Sequence, residues 1–215
     1  MGLRGWLLVG VLVALVVSGI APYERGTWWM EVAPILIALP VLLATARRWP
    51  LTRLLCVLLA LHALVLILGG HYTYARVPLG DWLRDGLGLM RNDYDRFGHF
   101  VQGFVPAILA RELLLRFAGL RRGAWLVIVV TGVCLGFSAF YELIEWWSAL
   151  IGGSAAADFL GTQGDVWDSQ WDMCWALIGA VTAQLLLSRA HDRALQRLAA
   201  APPARVGEDE PVGVA

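Results

Sequence analysis

The chain has 215 residues, 59% of them hydrophobic and 16% charged, with a formal net charge of zero and a mean hydropathy of +0.65. A soluble domain is about half apolar and about a quarter charged, so this composition describes a membrane protein. The balanced charge offers no basic field for nucleic acid, and the absence of lysine excludes a Schiff-base or phosphate-loop lysine.

A membrane-spanning helix needs about 20 mostly apolar residues. Six such runs predict an all-α, polytopic membrane helix bundle with spans at 5–21, 28–46, 51–69, 97–117, 124–150 and 171–188. The first begins MGLRGWLLVGVLVALVVSGIAP; one arginine, a long apolar run and a weak cleavage point indicate a retained signal-anchor helix. Pro34 and Pro40 bend the second. His62, midway through the third, reads as a satisfied buried imidazole.

Residues 76–93 place Leu79, Trp82, Leu83, Leu87 and Met90 on one helical face, with Asp81, Arg84, Asp85 and Arg91 mainly on the other. That pattern predicts a helix lying in the outer interface, with a mobile flap as the alternative that Gly80, Gly86 and Gly88 leave open. The fourth span ends near Arg111 and Glu112, which can pair or snorkel. Asp158, between spans five and six, reads as a solvated loop charge. Residues 1–193 form the six-span domain, and the Ala/Pro-rich, acidic segment 194–215 predicts a disordered cytoplasmic tail.

Arginine sets the orientation. Arg4, Arg47, Arg48, Arg53, Arg111, Arg116, Arg121, Arg122, Arg189, Arg193, Arg197 and Arg205 fall on one side of the spans, and Arg25, Arg76, Arg84, Arg91 and Arg96 on the other. The positive-inside rule makes the first side cytoplasmic, with both termini inside. Trp28, Trp29, Trp49, Trp125, Trp146, Trp147 and Trp171 cluster at span ends, as an interfacial belt should.

Within this topology the acids converge. Asp95, His99 and Gln102 lie within about 60° of one another on a helix. Thr131, Cys134, Ser138, Glu142 and Glu145 step along one face of span five, and Glu142 rises about 27 Å from Ala124 to the outer surface. The stretch GDVWDSQWDM brings Asp165, Asp168 and Asp172 to the start of span six, above the small residues Ala176, Gly179, Ala180 and Ala183 that let helices approach closely. Three helices thus predict an outward-facing acidic/His pocket. Crowded carboxylates need protons, arginine partners or a bound cation. Oxygen donors with one imidazole suit a divalent metal ion: Mg, Mn, Zn or Ca. His99, Glu142, Asp168 and Asp172 are the expected metal ligands, Glu145 and Asp95 the expected catalytic base or orienter, and Gln102, Gln163 and Asp165 the supporting residues.

Other chemistries are poorly served. Cys56, Cys134 and Cys174 form no CxxC pair and read as buried, inert thiols. Ser138 and Ser169 lack a GxSxG elbow.

Three stretches carry a resemblance: YDRFGHFVQGFVPAILARELLLR, FSAFYELIEWW and FLGTQGDVWDSQWDMCWALIGA. They resemble the YjdF-like family of bacterial inner-membrane proteins, over spans two to six. The resemblance implies a polytopic inner-membrane protein with signature residues at Asp95, His99, Glu142, Glu145, Gln163, Asp165, Asp168, Asp172 and Met173, and it brings no established activity. A looser similarity, through Asp95, His99, Phe100, Glu142, Asp168 and Asp172, is to the VanZ-like membrane proteins. Glu145 and the tryptophan-rich loop depart from that second pattern.

The expected function is metal-assisted hydrolysis or group transfer on a lipid or lipid-linked phosphate at the outer leaflet. The alternatives are a non-catalytic ion or proton carrier, or a structural accessory protein of the cell envelope. Membrane lipids are the expected partners; nothing in the pattern sets an oligomeric state.

Overall fold

The computed structural model describes residues 1–152 and 161–200. Asp158 and residues 201–215 of the expected tail lie outside the described residues. The described chain is all-α: α1 (Leu3–Ser18), α2 (Arg25–Thr45), α3 (Arg53–Tyr72), a 3-10 turn (Tyr74–Arg76), α4 (Pro78–Leu87), α5 (Tyr94–Arg116), α6 (Ala124–Gly152) and α7 (Asp168–Ala199). The last helix continues through 194–199.

Local chemistry explains several boundaries. Glu24 starts α2 by accepting hydrogen bonds from the backbone N–H groups of Gly26 and Thr27, and those N–H groups hold its carboxyl below the usual glutamate value. Thr52 caps α3 by accepting from Leu55 N at 3.3 Å. Pro78 opens α4, and Gly88 closes it in the left-handed region at φ 66°, where a Cβ would be strained. The α4 helix is amphipathic, with Trp82, Leu83 and Leu87 exposed and Arg84 paired to Asp81 and Asp85.

The helices form two groups. In one, α5 packs closely along α7, and α6 lies against both. In the other, α3 gathers α1 and α2, and it joins the first group through α5. Gly103 and Gly179 set the α5–α7 spacing. A Cβ at Gly103 would overlap the carbonyl of Ala176, and one at Gly179 the carbonyl of Phe100. Backbone contact of this kind is how membrane helices associate where lipid removes the hydrophobic drive. Below it, Leu55, Ala107, Ile108, Val130, Cys134, Ala180 and Ala183 form a continuous apolar core.

Four helices, α2, α3, α6 and α7, are long and apolar enough to cross a membrane. The apolar α1 is shorter, at 16 residues, and α5 carries Asp95, Arg96, Arg111, Glu112 and Arg116. On the four long helices, Ile37, Val127 and Leu185 are exposed, and such outward faces contact lipid.

Two polar assignments change. Trp28 is not in the interfacial belt: it is buried and donates Nε1–H to Ser18 Oγ at 3.1 Å. Arg111 and Glu112 neither pair with each other nor snorkel, because α7 supplies partners of its own. Arg111 contacts Asp192 at 2.9 Å and His191 Nδ1 at 2.8 Å. Glu112 accepts from Thr52 Oγ1 at 2.8 Å, Arg116 at 2.8 Å and His191 Nε2 at 3.0 Å. Arg111 donates to Nδ1, so the ring proton sits on Nε2 and goes to Glu112.

Candidate cation centre

The acid/His centre occupies the first turns of α5 and α7 and the last turns of α6. Asp95 and His99 are one helical turn apart, with His99 Nε2 lying 3.7 Å from Asp95 Oδ1 and 3.4 Å from Glu142 Oε1. The α5–α7 contact delivers Asp172 to the same place. Two sets of donor atoms result, each within 4.8 Å throughout: Asp95, His99 and Asp172, and His99, Glu142 and Glu145. His99 belongs to both.

Unmatched donors mark the centre. His99 Nδ1, Asp172 Oδ1 and Glu142 Oε1 are buried and have no hydrogen-bond partner. Buried polar groups are nearly always satisfied, so a cluster of this kind is suited to holding an ion or a water. The donor chemistry, carboxylate oxygen with imidazole nitrogen, fits a divalent cation.

The remaining expected ligand has another partner. Asp168 Oδ1 lies 2.5 Å from Arg91 Nη1, outside both donor sets. Burial opposes the charge on Arg91, but the Asp168 carboxylate outweighs it and raises the guanidinium above its ordinary value. Asp165 pairs with Arg96 at 2.8 Å and caps the chain at Trp167 N. Gln163 does not reach the donors: it accepts from Asn92 N at 3.1 Å and donates to Asn92 O at 2.8 Å. Gln102 lines a small cavity below His99. Gly161, at φ 63°, brings backbone so near Asp95 that a Cβ there would lie 3.0 Å from Oδ2.

An outward-facing pocket is therefore corrected to a buried centre: Asp95 is 7% exposed, His99 4% and Asp172 2%. The turn carrying Arg91 and Asn92 and the loop carrying Gly161 and Gln163 cross-link above it. A lipid-linked phosphate has no approach to donors so enclosed, and the hydrolase or transferase reading fails with the pocket it required. The catalytic roles expected of Glu145 and Asp95 belonged to that reaction.

The cavity beneath His99, about 30 Å³, is lined by Glu31, His62, Tyr74, Tyr141 and Glu145 among others. Glu31, on α2, is a buried carboxylate that sequence reasoning missed; Tyr141 donates to it at 3.3 Å. A lone acid within a span was itself the available signal. His62 is not satisfied: its buried Nε2 has no partner. Along α6 the stripe continues without an acid: Ser138 is wholly buried, Cys134 belongs to the apolar core, and Thr131 Oγ1 accepts from Gln184 Nε2 at 2.9 Å.

Fold and centre together define a multi-pass membrane protein with a buried acidic/His cluster. The family model described as "Predicted membrane protein (DUF2238)" matches residues 3–193. Inner membrane protein YjdF of Escherichia coli (strain K12) is 53% identical over 183 residues, covering 85% of this chain and 88% of that protein. The chain belongs to this YjdF-like DUF2238 family and is a multi-pass protein of the bacterial inner membrane. No solved structure matches it.

Proposed function

We propose that the protein is a non-catalytic, membrane-embedded cation-binding carrier. The observation that carries this reading is the sharing of His99 between two adjacent donor sets. One imidazole common to Asp95/Asp172 and Glu142/Glu145 lets an ion exchange one carboxylate pair for the other without losing its nitrogen ligand. Imidazole with carboxylates favours Mn²⁺ or Zn²⁺ over the all-oxygen preference of Mg²⁺ and Ca²⁺. The cavity toward Glu31 and His62 is the polar continuation of the centre. Asp168 and Asp165 hold the loop closed through Arg91 and Arg96.

In this reading α1 and α5 also cross the membrane, giving six spans over residues 1–193 with both termini cytoplasmic, and α4 lies in the outer interface. The excess of arginine on the side of Arg47, Arg48, Arg121 and Arg122 supports that orientation.

Metal analysis of the detergent-purified protein after dialysis against Mn²⁺ or Zn²⁺ tests the proposal. Bound metal is expected at one or more ions per chain, with a loss of at least about tenfold in affinity in His99→Gln, worth about 1.4 kcal/mol. A folded wild-type protein that retains neither ion would refute it.

A further inference from the structure

At the far end of α5, α6 and α7 lies a feature unrelated to the cation centre. Asp95 and Arg116 are separated along α5 by about 30 Å of helix. There, a groove of about 610 Å³ opens between the α5–α6 turn and the last turns of α7, lined by Arg116, Arg121 and Arg122 beside Leu115, Leu120 and Leu195. Its volume falls within the ordinary range for small-ligand sites, about 300–1,000 Å³.

The charges there do not balance. Arg116 contacts Glu112 at 2.8 Å. Arg111 and Arg122 both contact Asp192, each at 2.9 Å. Arg121 is exposed and has no acidic partner among the described residues. Among the described residues, four guanidinium groups thus face two carboxylates: Arg122 shares Asp192 with Arg111, and Arg121 presents an unpaired charge at the groove. Exposed Trp49 and Phe117 meet edge-to-face at 5.8 Å close by, and aromatic residues of this kind sit at headgroup depth.

We infer that this groove binds the headgroup of an anionic phospholipid. Guanidinium forks match phosphate oxygens in bidentate geometry. The leucines supply an apolar wall for the glycerol and upper acyl chain, which a free phosphate would not use. Basic pockets between membrane helices recognise anionic lipid headgroups in this way. The lipid is a bound component of the fold, at the end opposite the cation centre.

The test uses the full chain in neutral detergent, titrated separately with phosphatidylglycerol, phosphatidylcholine and inorganic phosphate. Lipid retention is read by native mass spectrometry and stabilisation by thermal unfolding. Phosphatidylglycerol is expected to be retained and to raise Tm by several degrees, phosphatidylcholine and phosphate to do neither. Arg121→Gln, which removes no observed contact, is expected to weaken retention about threefold or more, and the Arg121→Gln/Arg122→Gln pair at least about tenfold. Equal retention of phosphatidylcholine, an equal Tm rise from phosphate, or undiminished retention in the double variant would overturn the assignment.

Discussion

Arg91 Nη1 and Asp168 Oδ1 meet at 2.5 Å across 77 residues of sequence, joining the turn before α5 to the first residue of α7. Both side chains are largely withdrawn from water; Arg91 also lies 3.6 Å from Asp93 and from Asp165, but removing Arg91 takes away the direct ion-pair partner of Asp168. Arg91→Met is expected to cost about 3 kcal/mol of stability in detergent, and adding Asp168→Leu should restore much of it. A single variant within about 0.5 kcal/mol of wild type would show that the pair holds nothing together.

The same pair separates two aspartates that one helical face makes look equivalent. Asp172→Asn removes a donor and should lower Mn²⁺ or Zn²⁺ affinity by about tenfold or more. Asp168→Asn should lower the unfolding temperature while changing affinity by less than about threefold. Competition dialysis of both variants reads the contrast, and a reversed order would move Asp168 into the centre.

Gly103→Ala or Gly179→Ala must push α5 and α7 apart, because the new Cβ meets backbone carbonyl rather than a flexible side chain. Each should cost about 1–3 kcal/mol and reduce metal binding as well. Gly132→Ala and Gly136→Ala, on α6, meet nothing within 4 Å. They should be neutral or stabilising by up to about 1 kcal/mol. Equal melting temperatures across all four variants would contradict the close approach.

Glu24 links α2 to pH. Its carboxyl ionises more readily in the folded protein than at its ordinary value of 4.5. Its contribution is therefore complete above that value and fades as pH falls through the lower folded value. Unfolding measured from pH 6 down to about 3 should show wild type losing stability relative to Glu24→Gln. The site is largely solvated, so the difference should stay below about 1 kcal/mol. Parallel curves would remove the cap from the account.

Helical spacing made the faces legible. Asp95 and His99 are four apart, and small residues beneath Asp172 announced a helix lying close. What spacing cannot reveal is what lies over a face. The covering groups come from afar: Gln163 hydrogen-bonds Asn92 across 71 residues, and Arg91 reaches Asp168. A pocket read as open to the periplasm is therefore enclosed. Glu31 escaped notice because its helix reads as a plain hydrophobic span, and only the packing of α2 and α3 beside α5 brings it beneath His99. Trp28 shows the same blindness, since its position at a span end matches an interfacial residue while its N–H is spent on Ser18.

The glycine seam between α5 and α7 divides the cation centre unequally. Asp95, His99 and Asp172 ride on two rods locked backbone to backbone, so their separation is stiff. Glu142 and Glu145 stand on a third rod, α6, which meets the other two through side chains such as Val130 and Cys134, while Gly132 and Gly136 face open space. Under the proposed carrier reading, the welded pair would be the fixed jaw of a vise, and α6 the wall that closes on the ion.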